Sequence, residues 1–392
     1  MSPGGEALFA GVFARGRTAA EVDDRAWLQA MLDFEAALAH AGARAKLVPP
    51  AAAEAIAAAC RAERFDAAQL GREASASGTP VIPLLRALRD ELPENAAAHV
   101  HRGATSQDVL DTAAMLVTRR ALEPLLDDAR AAAVACAGLA EAHRDSVLVG
   151  RTLLQQALPL TFALKACQWL VGIDEAREHL AAVADGLLAV QLGGAVGTLA
   201  ALDGEGLAVA AELARELELG EPTLPWHTVR VRPALIAGGL GVLAGALGKV
   251  ARDVTLLAQG EVGEARPREG GRSSAMPHKR NPVAAVSALA CAQRVPGLVA
   301  TIHSAMVQEH ERAAGPWQAE WETFSDLLRL VGAEAAWTRE MLETLEVDPE
   351  RMRSNLEAAG DPVGSEGVGV ASELVERALA AHRRTLDRQE QT

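Results

Sequence analysis

Tyrosine is absent from this chain, and only six phenylalanines and six tryptophans occur among its 392 residues. Strands are usually rich in aromatic and β-branched side chains, so this shortage argues against a protein built on large sheets. Alanine and leucine are abundant instead, and both favour helices. The composition therefore predicts an all-α fold.

Cysteine is scarce as well. The four cysteines, Cys60, Cys136, Cys167 and Cys291, are isolated and form no CxxC or Cys/His ligand spacing. We therefore expect reduced thiols in the core, with neither a disulfide framework nor a metal site. The N-terminus lacks the basic stretch and the long apolar stretch of a targeting peptide, so the sequence favours a cytoplasmic protein.

Positive charge is also in short supply, since 38 Lys and Arg face 52 Asp and Glu, for a net charge of −14. This balance argues against a nucleic-acid partner, which would require a basic surface. An acidic protein that binds an acidic small molecule must concentrate its positive groups locally. Arg and Lys within motifs are therefore informative, whereas paired bases outside motifs, such as Arg230 and Arg232, are interpreted as lying on solvated helix faces or beside the C-terminal ends of helices.

Uninterrupted apolar stretches are short. The charge-free runs 186–202 and 233–248 contain several glycines and are shorter than the roughly 20 residues that a membrane helix needs. We interpret both runs as buried and expect no membrane partner.

Helical periodicity divides the chain into three regions. An amphipathic segment at 21–43 opens a predicted N-terminal helical domain, 1–98. From Ser106 a helical pattern runs to about His143, which at 1.5 Å per residue would be roughly 57 Å long. The pattern predicts a central domain, 99–346, and a short C-terminal helical domain, 347–392.

Four further long helices are predicted in the central domain, several of them beginning at a proline, which the first turn tolerates. Their predicted ranges are 158–188, 233–261, 282–306 and 316–345. Long antiparallel helices imply a bundle, and apolar residues on more than one helix face predict burial against other subunits.

The segment 270–282, GGRSSAMPHKRNP, has the character of a catalytic loop within the predicted loop region 263–282. Asn281 is expected to cap a helix with Pro282 in its first turn, which makes the end of the loop electropositive. Lys279 adds a full charge, so Ser273 and Ser274 lie where an anion would be stabilised. No strand is expected in this polar run.

Two other stretches combine a helix start with polar side chains. HRGATSQDVLDT, 101–112, is explained equally well by a capping box at Thr105 and by an anion site assisted by Arg102. GRTLLQQALPLTFALK, 150–165, reads as polar residues before a helix entered near Pro159. Polar caps alone would also account for that second stretch.

A third stretch, QEHERAAGPWQAEW at 308–321, contains Arg312, whose planar guanidinium suits a carboxylate but could equally belong to a charged helix end. Trp317 and Trp321 are expected to be packing residues. The glycines at 193, 194 and 197 follow a helical pattern rather than a strand, which favours a tight turn over a dinucleotide-binding loop.

The segment SSAMPHKRNP resembles the signature loop of the fumarase/aspartase superfamily. The resemblance implies that Ser273 is the general base for a proton next to a carboxylate, and that Lys279 and Asn281 bind the substrate or intermediate. It also implies active sites shared between the subunits of a homotetramer. The resemblance further implies a set of substrate-binding residues: His101, Arg102, Thr105, Ser106, Gln107, Arg151, Thr152, Gln155, Ser274, Met276, His278 and Arg312.

Leu153 departs from the superfamily pattern GRTHxQxAxP, in which a histidine assists proton transfer. The bacterial 3-carboxy-cis,cis-muconate cycloisomerases also lack that histidine, and GATSQDVLDTA, LLQQALPLTFALK and VQLGGAVGTLAAL resemble this branch. The resemblance implies a cofactor-independent cycloisomerase acting on a polycarboxylate. A C–N or related lyase of a succinyl-type substrate remains the alternative, and a structural protein derived from this fold is disfavoured by the intact loop.

Overall fold

The computed structural model describes residues 8–268, 271–272, 276, 279–360 and 367–389. Helices account for most of these residues, which confirms the all-α prediction. The helices are α1 Ala10–Phe13, α2 Asp24–Arg44, α3 Pro50–Ala59, α4 Ala67–Ala74, α5 Val81–Asp90, α6 Glu94–Ala97, α7 Ser106–Ala142, α8 Phe162–Leu187, α9 Gly206–Glu216, α10 Val231–Leu257, α11 Val283–Ser304, α12 Pro316–Glu343, α13 Pro349–Ala358 and α14 Ala371–Gln389.

Five long helices form the central bundle. α7 packs against α8 and α12, while α10 packs against α8, α11 and α12. α7 has 37 residues, as the sequence predicted, and is about 56 Å long at 1.5 Å per residue. Leucine, valine and alanine side chains fill the core, and all four cysteines are free and buried there, as expected.

Three small antiparallel strand pairs interrupt the helices. β1 Val147–Thr152 pairs with β2 Gln155–Thr161, β3 Ala265–Pro267 pairs with β6 Leu345–Val347, and β4 Gly271–Arg272 pairs with β5 Arg280–Asn281. The first pair corrects the prediction of a helix entered near Pro159. Pro159 lies in β2, and helix α8 begins only at Phe162, capped by the Thr161 hydroxyl group.

The start of α11 also differs from the prediction. Asn281 belongs to β5 and does not cap the helix, because Pro282 occupies the N-cap position and the helix begins at Val283. The polar loop therefore contains two short strands where none was expected, with Gly271 opposite Asn281 and Arg272 opposite Arg280.

Arg230 is buried rather than solvated, which corrects the interpretation made from the sequence. Its guanidinium lies between the carboxylates of Asp111 and Glu320, with nitrogen–oxygen distances of 2.8 and 2.5 Å. Trp317 also donates its indole N–H to Asp111. Burial lowers the pKa of Arg230, but the carboxylates of Asp111 and Glu320 have the larger effect and raise the pKa above the ordinary value. This ion cluster joins α7, α10 and α12 at one end of the bundle.

By length and composition, α10 and α11 could each span a membrane. Helices buried in a protein core meet the same criterion. In the most apolar part of α10, 61% of the residues are buried inside the protein, compared with 28% for α11. The run 233–248 is therefore only partly buried by its own chain. The run 186–202 is buried at 189–194 and more exposed beyond it.

Candidate active site

The N-terminus of α7 is organised around Asp108. Thr105 is the N-cap residue and forms a capping box with Asp108, so the local capping interpretation is confirmed. The Asp108 carboxylate also accepts hydrogen bonds from the backbone N–H groups of Gly193 and Gly194, each at 3.0 Å, and lies 2.6 Å from Nε2 of His227. One buried carboxylate thus fixes the start of the helix and the glycine turn beside it.

The glycine turn is a loop feature, as the sequence indicated. Gly194 and Gly197 have φ values of 66° and 85°, in the left-handed region that glycine adopts without a steric penalty. The carbonyl of Gly194 accepts a hydrogen bond from the Arg312 guanidinium. Burial lowers the pKa of Arg312, against the opposing influence of Asp108 and Asp111. The structure thus brings Arg312 to the helix start that contains Thr105.

His101 lies just before this helix start and pairs with Glu35 of α2. Its Nδ1 is 2.7 Å from Oε1 of Glu35, whose side chain is fully buried. Burial opposes protonation of His101, but the charge and hydrogen bond of Glu35 outweigh it and raise the pKa of the imidazole. This partner lies 66 positions away in the sequence and could not be identified from the motif.

The other predicted residues of this segment differ in their surroundings. Ser106 is the first residue of α7 and is partly exposed. Arg102 forms an ion pair with Asp203, at 3.0 Å, on the surface. Gln107 is buried, and its amide nitrogen donates to the carbonyl of His227 at 2.7 Å. Gln107 therefore uses its donor group within the protein core.

A second region lies at the end of the β1–β2 hairpin. Arg151 forms a two-pronged ion pair with the buried Glu264, with both nitrogen–oxygen distances at 2.8 Å. Asn355 of α13 donates to the same carboxylate at 2.8 Å. Thr152 and Gln155 face each other at the end of the hairpin and are exposed. Glu264 and Asn355 were not identified from the sequence, because neither belongs to a recognised motif.

The hairpin turn itself is Leu153–Leu154. Both leucines have positive φ values, 51° and 64°, and their exposed fractions are 95% and 77%. Two-residue hairpin turns favour this backbone geometry but normally use Asn or Gly for it. The turn therefore presents two apolar side chains in an unfavourable backbone conformation.

The signature loop forms a third region. Lys279 is exposed, and its backbone N–H donates to the carbonyl of Met276 at 3.0 Å. Asn281 is partly exposed in β5. Ser273, Ser274 and His278 lie outside the described residues, so their predicted roles stay predictions.

Within the described ranges, no hydrogen bond or ion pair joins the α7 start to the hairpin end. Each region instead has its own anchor: Asp108 for the first and Glu264 for the second. Nor does the described part of the chain contain a group of three or more His, Cys, Asp or Glu residues able to hold a metal ion.

Comparison with known proteins gives consistent results. A family model described as "Lyase" matches residues 14–297. The chain is 48% identical to a 3-carboxy-cis,cis-muconate cycloisomerase of Bradyrhizobium diazoefficiens, over 96% of this chain and 84% of the relative. It is also 44% identical to a nitrosuccinate lyase of Streptomyces davaonensis, over 92% of this chain and 79% of that protein.

Among solved structures, the 3-carboxy-cis,cis-muconate lactonizing enzyme from Pseudomonas putida superposes with a TM-score of 0.90 at 37% identity. The match covers 97% of this chain and 99% of that one. The two chains thus share the same fold along essentially their whole length. The chain belongs to the lyase family of the fumarase/aspartase superfamily, on the branch that contains the 3-carboxy-cis,cis-muconate cycloisomerases.

Proposed function

We propose that this protein is a cofactor-independent cycloisomerase that interconverts 3-carboxy-cis,cis-muconate and 4-carboxymuconolactone, in the protocatechuate branch of the β-ketoadipate pathway. The observation that carries the proposal is the full-length agreement with enzymes named for this substrate, at 48% identity in sequence and a TM-score of 0.90 in structure.

The chemistry requires one proton at one carbon. In lactone formation a substrate carboxylate oxygen bonds to an alkene carbon, and the electron pair of the double bond moves to the neighbouring carbon, next to another carboxylate. We assign Ser273 to deliver a proton to that carbon and, in the reverse direction, to remove it. Lys279 and Asn281 stabilise the enolate-like intermediate, whose negative charge is spread over the carboxylate.

The remaining predicted residues bind the carboxylates of the substrate. The α7 start offers backbone N–H groups and the positive end of a helix dipole beside the partly exposed Ser106. Arg312 adds a guanidinium that Gly194 holds in place. The proposed binding set consists of His101, Arg102, Thr105, Ser106, Gln107, Arg151, Thr152, Gln155, Ser274, Met276, His278 and Arg312.

Leu153 is compatible with this reaction. Opening the lactone releases a carboxylate, which is stable as an anion and requires no proton from the enzyme. A leaving amine would need such a proton, and a leucine side chain cannot supply it. The exposed apolar tip therefore favours a carboxylate leaving group over an amine.

We propose a homotetramer whose active sites combine the three regions from different subunits. Two observations support it: the α7 start and the hairpin end have separate anchors, Asp108 and Glu264, and α11 is apolar yet little buried. α10 and α11 also border a groove of about 710 Å³, which Gly241, Gly245, Ala292 and Val299 help to line. A second copy would cover it. The proposal also includes three domains, residues 1–98, 99–346 and 347–392, and a cytoplasmic location.

The test is an ultraviolet assay of the purified protein with 3-carboxy-cis,cis-muconate, following loss of the conjugated diene. We expect turnover by the wild type, loss of at least 100-fold for Ser273→Ala, comparable to removal of a general acid–base, and wild-type turnover for Ser354→Ala, an exposed serine of α13. Folded wild-type protein without turnover would refute the substrate. Near-normal turnover by Ser273→Ala would refute the role of the serine.

A second candidate is a lyase that expels an acidic leaving group from a succinate. The relative named nitrosuccinate lyase favours it, because it shares 44% identity over 92% of this chain. That reaction would also tolerate the lack of a proton donor at Leu153, because an acidic leaving group departs as an anion. Nitrosuccinate discriminates between the candidates when its turnover is followed by the ultraviolet absorbance of the unsaturated dicarboxylate that forms as nitrite leaves: turnover of nitrosuccinate alone would select this candidate.

A further inference from the structure

His101 pairs with Glu35, a residue that lies outside the segment 101–112. Glu35 comes from α2, in the N-terminal helices, and is 1% exposed. The His101 side chain keeps 14% of its surface exposed, so the ring lies at the boundary between the core and the start of α7. A buried acid is thus in direct contact with a histidine that reaches the candidate site.

The hydrogen bond determines which ring nitrogen is available. An ionised carboxylate only accepts hydrogen bonds, so Nδ1 of His101 must donate to Oε1 of Glu35 across their 2.7 Å separation. In the part of the chain that the structure describes, the bond to Glu35 is the only hydrogen bond of the His101 ring, and it leaves Nε2 available. In the neutral ring this nitrogen would accept a hydrogen bond, and in the protonated ring it donates one.

The surrounding charges favour the protonated ring. Burial lowers the pKa of His101, but Glu35 raises it through charge and hydrogen bonding, and Asp108 raises it further. Arg89 of α5 opposes them through its positive charge. Beside Glu35, burial raises the pKa of the Cys60 thiol, so Cys60 stays neutral and supplies no competing charge.

The backbone around His101 is tightly constrained. His101 has a φ of 66°, in the left-handed region that costs a non-glycine residue about 1 kcal/mol or more. Two residues later, Gly103 has a φ of 78°, and a side chain there would lie 2.4 Å from Leu202. This tight path leaves little freedom for the segment between Glu35 and the first turn of α7.

We propose that Glu35 is a positioning residue that holds His101 through Nδ1 and supplies its counter-charge, so that His101 presents a cationic Nε2–H donor to a carboxylate of the substrate at the start of α7. This inference rests on the proposed function for the identity of the carboxylate. It adds a residue of the N-terminal helices to the recognition of the substrate, and it makes that recognition dependent on pH.

The test compares the pH dependence of kcat/KM for the wild type and Glu35→Gln between pH 5.5 and 8.5. Without the negative charge the pKa of His101 falls, so the variant should lose kcat/KM as the pH rises, by about tenfold for each unit above the new pKa. The loss should appear in KM rather than kcat, because the donor binds the substrate before and during reaction. Lowering the pH should restore activity.

A matched control is Asp174→Asn, which breaks another buried acid–histidine pair, with His382 at 2.6 Å, beside Cys136 near the opposite end of α7. It should leave the shape of the pH profile unchanged. Glu35→Asp, which keeps the charge, should shift the profile less than Glu35→Gln. An equal loss at every pH for Glu35→Gln would mean a merely structural role and would overturn the proposal.

A substrate-free measurement separates this inference from the proposed function. ¹⁵N-detected titration of the histidine rings should show His101 protonated to a higher pH in the wild type than in Glu35→Gln. If the wild type turned over no muconate, the proposed function would fail while this titration still tested the pair. An identical His101 titration in both proteins would overturn the inference itself.

Discussion

Glu334 allows a quantitative test of how a buried charge affects this fold. It lies on α12 with 0% exposure, and neither carboxylate oxygen has a hydrogen-bond partner in the described ranges. The hydroxyl of Thr338, one turn further along the helix, is also without one. Burial raises the pKa of Glu334 well above the ordinary carboxyl value. We therefore expect Glu334 to be neutral in the folded protein over a pH range in which the unfolded chain has lost this proton.

The direction of the effect follows from proton counting. Between the unfolded pKa, about 4.3, and the higher folded pKa, the folded state binds one more proton, so stability falls as pH rises. Each pH unit in that interval costs about 1.4 kcal/mol at this site. Glu334→Gln removes the titration while keeping the size of the side chain. The variant should match the wild type near pH 4.5 and exceed its stability increasingly above that pH.

The assay is denaturant unfolding from pH 4.5 to 8 at one fixed protein concentration, because assembly would otherwise alter the apparent stability. Glu322→Gln, an exposed acid on the same helix, is the control and should change stability by less than about 0.5 kcal/mol throughout. A constant difference between Glu334→Gln and the wild type across this range would refute the reasoning, since only a titrating group makes the difference grow.

Two further predictions concern the anchors of the candidate site. Asp108→Asn replaces an acceptor of several buried donors with an amide and should cost about 3–5 kcal/mol of unfolding free energy; a loss below 1 kcal/mol in denaturant unfolding would contradict this. Glu264→Gln removes the charge that Arg151 binds with two hydrogen bonds and should cost about 1.5–3 kcal/mol and lower kcat/KM. The control for Glu264→Gln is Glu346→Gln, in an exposed ion pair, which should cost less than about 1 kcal/mol of unfolding free energy. Equal losses for Glu264→Gln and Glu346→Gln would contradict the anchoring role of Glu264.

Local patterns predicted the long helices well. The start of α7 was correctly placed because Thr105 and Asp108 are only three positions apart and form a capping box within one turn. α12 likewise begins at Pro316, as predicted. Such signals depend on nearest neighbours along the chain, which a sequence displays directly.

The sequence did not predict the hairpin at residues 147–161, and the reason is physical. Its second strand contains Pro159 and few β-branched residues, so its composition did not indicate a strand. The turn uses two leucines where Asn or Gly would have signalled a hairpin. Pairing with β1, rather than local preference, decides the conformation there.

Long-range charge pairs could not be predicted at all. Arg230 contacts Asp111 across 119 positions, and Arg151 contacts Glu264 across 113. Nothing in the local pattern around Arg230 distinguishes it from the solvated arginines of other helices. Only the folded bundle brings these acids and bases together, and with them the supports of the candidate site.

The Leu153–Leu154 turn has a consequence for protein engineering. Both side chains project away from the core of their own chain, so exchanging them removes no packed volume there. A combinatorial library at these two positions would vary what the hairpin touches while leaving the β1–β2 register intact. Variants with asparagine or glycine would relieve the left-handed backbone as well. The fold thus provides a tip that can be replaced at little cost in folding.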